Sequence, residues 1–351
     1  MGPAARPKDD AAWYHRLRRL RVRLALGVGV LTVGAALYSL LSKTAFTIDP
    51  GSGTPVGLSV RTDRHIATLI RTLEPYTPSP DRDHGKDTYR YSLFLVPLDG
   101  SGPELIPIGG GYPASTSGRA KILGSDGRVL WFDLDGAGGV DLERKAALAP
   151  ADGREPALPR PASPFPPSPD RHLSAGFITG AGQWLGLHSE EEIRGEFAPK
   201  TFVRRVAPQA SRKQMRRFYR GTLDAPVDDT YHRILSMAPI REAGYFNAAF
   251  LRFDEAAEPL RLSNPEGALM LHTSGPGSDG TAVIARVDLE GNVLWSVDTA
   301  IDRFALSQIL PGEYVFAFVG TRPPVPGKVS EPLLVIIANA TGGATTHSLW
   351  R

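Results

Sequence analysis

The chain contains no cysteine. Disulfides, thiolate nucleophiles and Cys-bound metals are thereby excluded together, and the fold must be held by its core alone. Its eight histidines form no H-E-x-x-H pair and no pair at helical spacing, so no metal site is expected. One stretch imitates a calcium loop, with Asp133, Asp135, Gly138 and Asp141 at suitable offsets. The remaining strong oxygen ligands are missing, because Ala137 and Arg144 stand where a carboxylate or amide and the closing Glu belong. No G-x-S-x-G elbow and no P-loop occurs, so neither a catalytic residue nor a cofactor is expected.

An excess of one charge is also missing over most of the chain. The formal net charge is +3, but residues 1–23 alone hold seven Lys or Arg against two Asp, leaving 33 basic and 35 acidic residues after them. The basicity belongs to a short tail, and no nucleic-acid partner follows from it.

Residues 24–42 (LALGVGVLTVGAALYSLLS) carry no charge over 19 positions. A helix of that length spans about 28 Å, close to the thickness of a bilayer's hydrocarbon core. Arg16, Arg18, Arg19, Arg21 and Arg23 abut this run, while Lys43 follows it alone. The positive-inside rule then predicts a cytoplasmic tail (1–23), a single-pass signal anchor (24–42) and an extracytoplasmic body (43–351) at a bacterial inner membrane. The alternative is a cleaved signal peptide, for which Gly34, Ala35 and Ala36 supply small residues; the run exceeds the usual 7–15 residues of such a segment.

The body reads as strand, turn, strand throughout. In GALMLHTS…TAVIARVDLEGNVLWSVDT (267–299), apolar and β-branched runs are joined by a Gly/Ser/Asp loop and then by a turn at Asp288–Asn292. Asp bonds nearby amides in such a turn, and Gly accepts positive φ. The unit recurs in fragments: V-D-L-E at 140–143, G-R-V-L-W at 127–131, and apolar runs ending at Asp99, Asp254 and Asn339. Turn positions 99, 141, 254, 288 and 339 are separated by 42, 113, 34 and 51 residues. Units of 40–50 residues with four short strands predict an all-β fold, a β-propeller of about six or seven blades. The 113-residue gap holds a Pro-rich insert (150–169), expected to be an extended and passive segment, and a further unit with a strand at Val203–Val206.

The run V-D-L-E-G-N-V-L-W resembles the repeat of quinoprotein-like propellers, in which D-x-x-G-x-x-x-W joins the outer strands of each blade; Asp288, Gly291 and Trp295 match it. The body is also similar to bacterial proteins that combine one N-terminal anchor with a propeller-like domain. The resemblance implies the propeller fold. It implies no pyrroloquinoline quinone, because the quinone enzymes need a polar, metal-assisted central pocket for which no ligand set is found.

On that architecture the loops between second and third strands, at 76–89, 275–280 and 321–332, share one face, where binding groups usually lie. The first holds Asp81, Asp83 and His84. Between Glu196 and Asp224 runs an acid-free basic stretch that includes Arg212, Arg216, Arg217 and Arg220, with Phe and Tyr interleaved. These residues are the candidate partner-binding positions, and an anionic surface or an envelope protein is the candidate partner; a merely solvated basic face is the alternative. The expected function is a membrane-anchored, non-enzymatic binding or scaffold domain of the bacterial cell envelope. The alternative is an extracytoplasmic enzyme with its site in the propeller's central funnel.

Overall fold

Short apolar and β-branched runs closed by Asx and Gly turns have one way to pair their backbone groups locally, and that is antiparallel. A computed structural model describes residues 53–74, 88–148, 169–195, 202–203, 215–224, 232–252, 262–276, 280–323 and 330–350. The tail, the apolar segment 24–42, nearly all of 150–169, and Arg212, Asp81, Asp83, His84 and Asp254 lie outside them. Among the described residues no helix is long and apolar enough to cross a membrane.

The described chain is all-β. The first sheet pairs β1 (Thr54–Arg61), β2 (His65–Glu74), β3 (Thr88–Pro97) and β4 (Glu104–Pro113) in chain order. The second does the same with β5 (Lys121–Ser125), β6 (Val129–Asp133), β7 (Ala137–Asp141) and β8 (Ala146–Leu148). The last holds β18 (Leu306–Leu310), β19 (Val315–Thr321), β20 (Pro332–Ala338) and β21 (Ala344–Ser348).

Between them lies a nine-stranded sheet. Its path runs through β10 (Gly176–Ile178), β11 (Trp184–His188), β13 (Met215–Leu223), β14 (His232–Leu251), β15 (Gly267–Thr273), β16 (Thr281–Asp288) and β17 (Val293–Asp302). Two short strands, β9 (Leu173–Ser174) and β12 (Phe202–Val203), also pair with β14, and the one α-helix described, α1 (Glu190–Gly195), follows β11. Strand β14 divides this sheet. Its first part pairs with β13, and its last part with β15 and β9. The pairing register breaks between Phe246 and Ala249, where Asn247 takes φ 52°. Asn is among the few residues that adopt this conformation readily.

Four apolar cores hold the sheets, and among the described residues none of the four joins the second sheet to the nine-stranded one. One joins the first two sheets through residues such as Leu69, Leu93, Leu130 and Phe132. A second lies within the nine-stranded sheet, across β14, around Phe177, Phe218, Phe250 and Met270. A third couples the β15–β17 part to the last sheet through Leu271, Ile284, Phe316 and Phe318. The fourth packs the last sheet onto the first, with Ile66 and Phe94 against Ala317 and Leu334. Each large side chain so buried contributes about 1.5–3 kcal/mol.

The repeat logic holds at four turns and fails at one fragment. Asp99, Asp141, Asp288 and Asn339 all stand between the third and fourth strands of a four-strand group. The first three cap backbone amides just ahead of them, and Gly100, Gly291 and Gly342 supply the positive φ. G-R-V-L-W at 127–131 is different: it joins β5 to β6, the first and second strands, so its likeness to 291–295 is not structural. In the calcium-like stretch, Asp133 ends β6, opposite Ala137 at the start of β7, and Asp141 ends β7. There they accept from amides of their own turns, which keeps them from a shared ion. Val203 is in strand as expected.

Candidate ligand site

Antiparallel order gives each four-strand group two distinct ends. The turns at Asp99, Asp141, Asp288 and Asn339 mark one end. Second-to-third loops, connections from one group to the next and the starts of the first strands share the other. The strand pairs β2 and β3, β15 and β16, and β19 and β20 are second and third strands of their groups; most residues of the three loops expected between them lie outside those described.

Three of the between-group segments meet at that second end around a cavity of about 170 Å³. Pro169 and Asp170 come from the turn before β9, Asn247 and Ala249 from the register break of β14, and Arg303 and Phe304 from the turn between β17 and β18. Arg216, at the start of β13, also lines it.

The polar groups of the cavity differ in how they are served. Arg216 is buried, donates to the Ala248 carbonyl at 3.0 Å, and forms an ion pair with Glu192 at 2.7 Å. Burial opposes ionisation of Glu192, yet the Arg216 hydrogen bonds hold its carboxyl below the usual range. That pair is internally neutral. Asn247 is buried, its Nδ2 donates to Thr273 Oγ1 at 2.9 Å, and its Oδ1 accepts from nothing among the described residues.

Arg303 is the exception in the fold. It is 8% exposed, and among the described residues no group accepts from its guanidinium. Burial pushes its pKa down, and the charge of Asp170 at the exposed rim opposes that. Arg286, equally buried, shows what a structural arginine looks like here: its Nη atoms donate to the carbonyls of Ser263, Pro265 and Ala340 at 3.0–3.1 Å. A buried cation with no hydrogen-bond partner is costly, and a guanidinium is a planar fork matched to an oxyanion. The arrangement can hold an anion.

Arg217 and Arg220, the other candidate arginines among the described residues, bond within the domain. Arg217 pairs with Glu190 at 3.0 Å, and Arg220 donates to the Leu289 carbonyl at 2.9 Å and to Glu290. Of the predicted positions among the described residues, only Arg216 is brought to the cavity. Asn247, Arg303 and Asp170 carried no sequence signal, since each is a lone polar residue among others until the chain reversals bring them together.

The described residues hold no group of three His, Asp or Glu placed to bind a metal ion. No family model matches the chain, and no curated protein matches it.

Proposed function

We propose that residues 43–351 form a propeller-like binding domain held outside the cytoplasm of a bacterial cell by the anchor 24–42, and that its ligand sits in the cavity beside Arg303. The observation that carries this reading is the buried guanidinium of Arg303, whose Nε has no acceptor among the described residues, where three between-group segments converge. In propellers the first strands line the central channel, and the last part of β14 and the start of β18 line the cavity.

The propeller itself is part of the proposal. It rests on four-strand groups in chain order, on cores between four of the five neighbouring pairs of groups, and, among those four, on the packing of the last group against the first. With β14 serving both as the outer strand of one group and the inner strand of the next, the described strands make five blades rather than six or seven. A binding role fits a site that offers hydrogen-bonding groups around a fixed cavity.

Native mass spectrometry of the full chain, exposed to a small-molecule extract of bacterial envelopes, tests the reading. A retained species recovered at unaltered mass and displaced by mutation of Phe304 supports it. Conversion of that species, or no retained species, contradicts it.

A further inference from the structure

The character of the unmatched groups points to a ligand class. This step rests on the reading that the cavity is the ligand site. We propose that the cavity binds a small monocarboxylate carrying a hydroxyl, with the carboxylate on Arg303 and the hydroxyl directed to Asn247 Oδ1.

Charge sets the first part. Arg216 is matched by Glu192, so Arg303 is the one lining cation without a hydrogen-bonded counter-ion among the described residues. One guanidinium complements one carboxylate, through two parallel N–H···O bonds. A phosphate dianion brings a second charge that nothing described neutralises. Hydrogen bonding sets the second part: Asn247 Oδ1 is a buried acceptor, and it takes a donor, which a hydroxyl supplies and a bare carboxylate does not. Volume sets the third. About 170 Å³ lies below the roughly 300–1,000 Å³ of ordinary ligand and cofactor pockets, so the acid is a small one.

Asp170 acts on the same charge from the rim. It is exposed, and it attracts Arg303 without bonding to it. A bound carboxylate competes with that attraction, so Asp170 moderates affinity.

Isothermal titration of the full chain with glycolate, acetate, phosphate and glycerol decides the matter. Saturable one-to-one glycolate binding is expected, with acetate several-fold weaker and glycerol silent. Arg303→Met is expected to weaken glycolate at least about tenfold, since each tenfold corresponds to 1.4 kcal/mol, within the range of one charge-assisted hydrogen bond. Asp170→Asn is expected to tighten it several-fold. Asn247→Asp keeps the shape and places a carboxylate in the cavity lining, where its charge opposes a bound anion. It is expected to abolish binding with the melting temperature retained, and it decides the case if Arg303→Met does not fold.

No saturable glycolate binding, phosphate binding more tightly than glycolate, or glycolate binding unchanged in Asn247→Asp overturns the inference. A neutral ligand retained in the cavity and indifferent to both variants overturns this inference alone and leaves the binding reading in place.

Discussion

His188 lies buried on β11 between Trp184 and Tyr219, and Trp184 Nε1 donates to its Nε2 at 3.3 Å. The ring is an acceptor there and therefore neutral, and burial pushes its pKa down to about 4. The unfolded chain binds a proton near pH 6.5, so stability is fully present above about pH 6.5 and falls as pH drops towards 4. One such group removes about 3 kcal/mol across that window. Denaturant unfolding at pH 7 and pH 4.5 should show this loss, and His188→Gln should remove most of the difference; an unchanged difference would show that other groups carry it. Trp295 teaches a related lesson. Asp288 and Gly291 form the expected turn, but Trp295 is only half-buried, lying over Gly342 of the next group with its Nε1 directed to the Ala340 carbonyl. Trp295→Ala should therefore cost about 2 kcal/mol, less than the 3–5 of a fully buried Trp, as read from the midpoint of urea unfolding.

Turns were the legible elements. Each third-to-fourth turn keeps an Asx residue because its side chain caps amides or ties carbonyls locally, a requirement visible in a few consecutive residues. The Leu223–Asp224 end of β13 stands at the same place in its own group but is followed by Ala and Pro rather than Gly, so the pattern hid it. The double duty of β14 was illegible for another reason: nothing local distinguishes one 20-residue strand from two short ones until both partners are known. The cavity was hidden likewise, because its groups come from segments as distant as Asp170 and Arg303. One long-range device can be tested at this scale. The side chain of Gln308 on β18 imitates a strand backbone, accepting from Ser59 N at 2.8 Å and donating to Ser59 O at 3.2 Å on β1. It clasps the last sheet to the first. Gln308→Leu leaves both buried Ser59 groups unpaired and should cost about 2–4 kcal/mol. Gln308→Glu keeps only the acceptor and should cost at least as much, and a melting temperature unchanged in both variants would remove the clasp from the account.

At the scale of the whole molecule, the proposed topology rests on the charge asymmetry about residues 24–42, and the absence of cysteine makes it easy to test. Gly102 is exposed in the turn between β3 and β4, with nothing within 4 Å of an added Cβ. Gly102→Cys should react with a membrane-impermeant maleimide in intact spheroplasts, and Ala5→Cys only after lysis; the reverse order would invert the proposed topology. The ligand claim is more central, because it makes the end bearing the between-group segments the working face of the domain. Hydrogen–deuterium exchange of the full chain with and without glycolate tests it most directly. The account predicts slowed exchange in peptides covering 170–173, 247–251 and 303–308, with no change at the far-end turns 99–104 and 339–344. Protection confined to those far turns, or none at saturating glycolate, would contradict it.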